Sequence, residues 1–152
     1  MHMKIKIIYT SLTSNTQETV EVLSDDLTAQ DIDVEVFDSE DGIEVEDFFT
    51  DADAYVLATF TDGDGEVPDG IIDFYDDIAD FDLTDIPVAV LGTGDTSYDD
   101  FCHAVDLLAE QCTASGARLA VPTLKIELAP DDAAITAIEQ FGQQLTQQVA
   151  AE

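Results

Sequence analysis

Short apolar runs of strand length alternate along the chain with segments whose apolar residues recur every three or four positions. The runs predict strands at residues 4–9, 34–38, 55–59, 88–92 and over part of 118–128. The periodic segments predict four helices. They cover residues 16–30, with Val20, Leu23 and Leu27 on one face; 68–78; 101–115, with Val105, Leu108 and Cys112; and 131–149, with Ile135, Ile138, Phe141 and Leu145. Pro68 suits a first helical turn and Gly116 a helix end. Residues 38–53 are rich in acids yet carry Ile43, Val45, Phe48 and Phe49, which predicts a short helix there. No repeat, low-complexity tract or linker interrupts the pattern, so the 152 residues, 45% hydrophobic, are expected to form one domain. Strand and helix in strict alternation predict an α/β fold, a doubly wound parallel sheet with helices on both faces. Such sheets bind ligands outside the carboxyl ends of their strands, which directs attention to the loops after strands one, three and four.

Charge narrows the partners. There are 35 Asp plus Glu against 4 Lys plus Arg, a formal net charge of −31. A surface of that sign repels DNA, RNA and anionic lipid, and its self-repulsion argues for a monomer. The acidity has two readings that stay open together, a solvated surface suited to a salty cytoplasm and a field that steers basic partners. Met1-His2-Met3-Lys4 leads straight into the first strand, and no apolar stretch reaches membrane-spanning length, so a cytoplasmic protein is expected. Cys102 and Cys112 fall too far apart along one helix to pair and are read as free thiols. The histidines, His2 and His103, support no catalytic role.

The first loop, Tyr9-Thr10-Ser11-Leu12-Thr13-Ser14-Asn15-Thr16, joins a strand to a helix and is rich in hydroxyls. Turned as a nest, its N–H groups and those of the helix's first turn would converge on one phosphate. Neither Lys nor Arg lies in or beside it, and it lacks the glycines of a P-loop or a dinucleotide fingerprint. Neutral donors and the helix dipole would hold the anion. After strand three comes Thr59-Phe60-Thr61-Asp62-Gly63-Asp64-Gly65-Glu66-Val67-Pro68, and after strand four Gly92-Thr93-Gly94-Asp95-Thr96-Ser97-Tyr98-Asp99-Asp100-Phe101-Cys102. The glycines either admit close backbone approach to a flat ligand or simply form turns. Phe60 and Tyr98 offer stacking surfaces, unless Phe60 is a core residue at a strand end and Tyr98 an exposed loop residue.

Together the three loops resemble the short-chain branch of the flavodoxin family. The first is similar to the family's FMN-phosphate loop, and residues 53–68 with Asp73-Phe74-Tyr75 to its first flavin loop and the helix behind it. Most specific is Gly92-Thr93-Gly94-Asp95-Thr96-Ser97-Tyr98 with Phe101-Cys102 and Ala104-Val105-Asp106, which resembles the second flavin loop. The resemblance implies a five-stranded sheet in the order 2-1-3-4-5, and it covers nearly the whole chain. The long insertion of the long-chain branch has no room in residues 118–128. It further implies that Ser11, Thr13, Ser14, Asn15 and Thr16, in a loop that includes Leu12, hold the phosphate. Tyr98 would stack on the outer flavin face; Thr93, Gly94, Asp95 and Cys102 would meet the ring edge; and Thr59, Phe60, Thr61, Asp62, Gly63 and Phe101 would complete the pocket. The sequence departs from the family pattern at Ser14, usually Gly or Ala, and at Val20, usually Ala. At Asp62, where many members place an apolar residue against the inner flavin face, a carboxylate cannot stack. Phe60 or Val67 would then take that cover, or the face is more open, or Asp62 turns to water. Asp100 stands where some relatives have an aromatic.

The function so implied is a low-potential one-electron carrier on non-covalently bound FMN, working through the semiquinone/hydroquinone couple, with no substrate turnover of its own. Two unit charges about 8 Å apart at an effective dielectric of about 20 interact by about 2 kcal/mol, so acids such as Asp62, Asp64, Glu66, Asp95, Asp99 and Asp100 would lower the second potential. A carbonyl at Gly63 would turn to accept a hydrogen bond from the flavin N5–H, since glycine eases the peptide flip. Partners would be redox proteins with basic docking patches, reductase donors and metalloenzyme acceptors, with no nucleic acid or membrane. Two other readings are set beside this one. A flavodoxin-like specialist would activate one metalloenzyme. A receiver domain would use Asp62, Thr93 and Lys125, but Thr10, Ser11 and Leu12 stand where its acidic Mg²⁺ pair belongs.

Overall fold

The computed structural model describes residues 3–10, 15–61, 66–94, 102–127 and 130–150. Parallel strands β1 (Lys4–Tyr9), β2 (Asp33–Asp38), β3 (Ala54–Phe60), β4 (Pro87–Gly94) and β5 (Arg118–Leu119) lie in the order β2-β1-β3-β4-β5, and β6 (Leu124–Glu127) pairs with β4 beyond β5. Between them run α1 (Asn15–Ala29), a 3-10 turn (Ser39–Asp41), α2 (Val45–Phe48), α3 (Asp69–Ile78), α4 (His103–Ala114) and α5 (Asp132–Ala150). The parallel sheet with helices is the doubly wound plan expected from the chain's pattern, and the strand order is the one the resemblance implied.

Successive strand residues point to opposite faces, and both faces are covered. Ile5, Ile7, Val56 and Leu91 pack under Leu23 and Leu27 of α1 and Phe141 and Leu145 of α5. Ile8, Leu57, Val88 and Val90 pack under Phe48 of α2, Ile71 and Phe74 of α3 and Leu108 of α4. The acid-rich segment before β3 holds its short helix because Phe48 is fully buried, its ring 4.9–5.8 Å from those of Phe37, Phe49, Tyr55 and Phe74. Lys6 shares the face of Ile8 and is buried there. Its Nζ donates to the Asp47 carbonyl at 3.1 Å, near the end of α2, and lies 5.7 Å from the centre of the Phe37 ring.

Most boundaries shift by one or two residues from the sequence expectation, and three of the departures have a visible cause. The last strand is two pieces: Leu119 pairs with Val88 and Leu124 with Leu91, so Ala89 and Val90 face four residues, Ala120, Val121, Pro122 and Thr123. Pro122 has no N–H for the ladder, and the chain bulges around it. Pro68 caps α3 from outside, with extended backbone (φ −62°, ψ 149°), rather than entering its first turn. Helix α4 starts at His103, two residues later than predicted, because Cys102 is left-handed (φ 54°, ψ 27°) and so breaks from helical geometry.

Candidate functional site

The carboxyl ends of β1, β3 and β4 lie side by side, Tyr9 opposite Ala58 and Phe60 opposite Thr93. Buried hydroxyls gather there. Thr10, Thr16, Thr59 and Thr93 are each at most 2% exposed, at strand ends and in the first turn of α1. Apolar strands thus finish in hydroxyls where the sheet gives way to loops.

The alternation of the strands sorts these groups. Thr93 shares the face of Ala89 and Leu91, toward α1, and its Oγ1 lies 2.8 Å from Oγ1 of Thr16. Asn15 precedes Thr16 at the start of α1, where backbone N–H groups have no partner within the helix. On the other face, a Cβ at Gly70 of α3 would lie 2.5 Å from Thr10 Oγ1, so a larger residue there would have to turn that hydroxyl aside for the helix to close on the end of β1. Gly92 is more confined still: a Cβ there would collide with the Thr59 carbonyl of β3 and come 2.5 Å from Val105 Cγ2 of α4. It is a close-packing glycine within the strand, and Gly94 ends the same strand rather than forming a turn.

The start of α4 is held from outside. Cys102, its N-cap, makes no side-chain capping bond, and the N–H of Ala104 donates instead to Thr61 Oγ1 at 3.3 Å. The loop after β3 is thereby tied to the helix that follows β4. Cys102 is fully buried, its Sγ 3.9 Å from the carbonyl oxygens of Gly92 and Ile126; burial pushes the thiol up to about 11, against a smaller downward pull from Lys125. One turn on, Asp106 accepts from Lys125 Nζ at 2.8 Å, with the exposed His103 Nδ1 3.8 Å away. Lys125, which a receiver reading would place at a phosphoacceptor, is held in this ion pair with Asp106.

Of the expected site residues, Asn15, Thr16, Thr59, Phe60, Thr61, Thr93, Gly94 and Cys102 are described, and all sit at this end of the sheet. Ser11, Leu12, Thr13, Ser14, Asp62, Gly63, Asp95, Tyr98 and Phe101 lie outside the described residues. Phe60 is partly exposed at the end of β3, whereas Val67 is packed into the core. The hydroxyl of Thr93 and the thiol of Cys102 both face inward. Sequence reasoning passed over Gly70 and left Thr10 out of the phosphate donors, and no local pattern announces that the two lie together. Between α3 and α4, beside Val67, runs a groove of about 470 Å³ with Ile72, Tyr75 and Leu107 along it and Asp69 and His103 at its rim.

The donors that the described residues bring here are hydroxyls and N–H groups, with no Lys or Arg among them. That set suits a phosphate ester at a helix start. Among the described residues no three His, Cys, Asp or Glu side chains are grouped to hold a metal, and no helix is long and apolar enough to cross a membrane.

The family model for flavodoxin matches residues 7–141. Probable flavodoxin 2 of Bacillus subtilis is 33% identical over 141 residues, 93% of each chain. Flavodoxin of Maridesulfovibrio salexigens is 33% identical over 130 residues, 84% of this chain and 88% of its own. The crystal structure of oxidised flavodoxin 2 from Bacillus cereus superposes with a TM-score of 0.91 at 36% identity, covering 95% of this chain and 99% of the other.

Proposed function

Because the chain belongs to the flavodoxin family and is an FMN-binding electron carrier, we propose that it seats the cofactor across the carboxyl ends of β1, β3 and β4. The reading rests on one observation, the uncharged, buried hydroxyls at the ends of β1, β3 and β4 and in the first turn of α1, in a molecule of net charge −31. Bound FMN supplies one-electron redox chemistry. The side chains of Ser11, Thr13, Ser14, Asn15 and Thr16, with the N–H groups of the first turn of α1, take the phosphate, and Leu12 completes that loop. Phe60 covers the inner face of the ring, being the apolar residue left partly open where Val67 is committed to the core. Tyr98 covers the outer face. Thr93, Gly94, Asp95 and Cys102 meet the ring edge through backbone, since the hydroxyl of Thr93 and the thiol of Cys102 are directed inward. Thr59, Thr61, Asp62, Gly63 and Phe101 close the pocket, and Gly63 offers its carbonyl to the ring.

The acidic loops hold the potential low by opposing added negative charge. The protein turns over no substrate of its own and works as a cytoplasmic monomer. Its partners are redox proteins that present basic patches around an apolar residue, which fits the α3–α4 groove with Asp69 at its rim. Titrating apoprotein with FMN tests the whole reading: flavin fluorescence should be quenched at one equivalent, and the desalted protein should stay yellow. A colourless eluate from FMN-saturated protein would overturn it.

A further inference from the structure

The contact between Thr16 and Thr93 joins residues 77 positions apart, one in the first turn of α1 and one near the end of β4. Both side chains are buried, Thr16 at 0% and Thr93 at 2% exposure. A hydroxyl carries one proton and two acceptor lone pairs. In a pair at 2.8 Å one proton lies between the oxygens, and the other has no acceptor among the described residues. Two arrangements are therefore open. If Thr16 donates to Thr93, the loose proton sits on Thr93, inside the sheet. If Thr93 donates to Thr16, the proton of Thr16 is free to point out of the helix's first turn.

Resting on the FMN reading above, we infer that Thr93 is a positioning residue for phosphate recognition: by donating to Thr16 Oγ1 it turns the Thr16 hydroxyl outward as a donor to the phosphate. A dianion needs donors and so selects the second arrangement, and each bond of the two-hydroxyl chain polarises the next. Thr93 belongs to the strand that leads into the second flavin loop.

The test is binding of two flavins, FMN and riboflavin, which differ by the phosphate. In Thr93→Val the shape is kept and the donor lost; FMN affinity should fall about fivefold to tenfold, within the range of one lost hydrogen bond, while riboflavin affinity changes less than about twofold. Thr93→Ser should restore the FMN preference, and Thr93→Ala should behave as the valine variant. The Ala–Ser pair carries the same comparison if the valine chain does not fold. In a Thr16→Val background, Thr93→Val should cost FMN less than about a further twofold, because Thr93 acts through Thr16. Equal losses for both flavins would overturn the inference, as would a full FMN loss persisting in the Thr16→Val background. Wild-type protein that binds neither flavin would defeat the FMN reading itself. Wild-type protein that prefers FMN, with the preference intact in Thr93→Val, would defeat only the role given to Thr93.

Discussion

Gly92 occupies a place on β4 where any side chain would press on the Thr59 carbonyl and on Val105. Neither neighbour yields cheaply, the first being backbone of β3 and the second a β-branched residue at the core of α4. Gly92→Ala should cost about 1–3 kcal/mol, read as a lowered urea midpoint with an unchanged slope. The cysteines act differently, through their protons. Burial pushes Cys112 up to about 12 and Cys102 up to about 11 from an ordinary 9.0. Above pH 9 the unfolded chain releases thiol protons that the folded chain keeps, so stability should fall as pH rises from about 9 to 12, by up to about 1.4 kcal/mol per pH unit for Cys112. Cys112→Ala should make that slope shallower, as thermal unfolding at several alkaline pH values would record. Both thiols should resist alkylating reagents in the native protein. At this scale the sequence was readable only where a motif names a residue, as at Thr93. The inward turn of its hydroxyl depends on strand parity and on a helix residue 77 positions earlier, which no local pattern encodes.

Helix α4 begins with help from elsewhere in the chain. Cys102 gives α4 no side-chain cap, and Thr61 supplies one across 43 positions. Thr61→Ala should destabilise the protein by about 0.5–2 kcal/mol, the usual worth of a cap. It should also loosen the link between the two ring-binding loops, so that FMN and riboflavin lose affinity together. Denaturant titration and flavin binding on one preparation would check both effects, and stability equal to wild type would show that the contact does not act as a cap. The elements themselves were legible because each carries its own period. Val20, Leu23 and Leu27 repeat as an α-helical face and all are buried, and the residues of β3 and β4 read as continuous apolar runs because helices cover both sides. What escaped were their ends. The left-handed turn at Cys102 and the bulge at residues 120–123 answer to neighbours, although Pro122 marks the second in plain sight. Lys6 reads as the polar member of an amphipathic strand and is instead buried, because the Asp47 carbonyl and the Phe37 ring wait for its ammonium group.

Charge belongs to the whole molecule. Its four cations have little left to offer the surface: Lys4 lies 3.3 Å from Glu35, Lys125 pairs with Asp106, Lys6 is buried, and Arg118 is engaged as well. The remaining carboxylates repel one another, and the same field attracts a basic partner. Salt should therefore act in opposite directions on two measurable quantities. The Debye length shrinks from about 30 Å at 0.01 M to about 3 Å at 1 M ionic strength. Over that range folding stability should rise as self-repulsion is screened, while the rate of electron transfer with a basic redox partner should fall at least about tenfold as steering is lost. Thermal unfolding and stopped-flow kinetics across one salt series would separate the two consequences of the acidity. A melting temperature that climbs with rates that stay flat would assign the charge to salt adaptation alone. Falling rates with an unmoved melting temperature would assign it to steering, because a fold indifferent to its own repulsion has no need of salt.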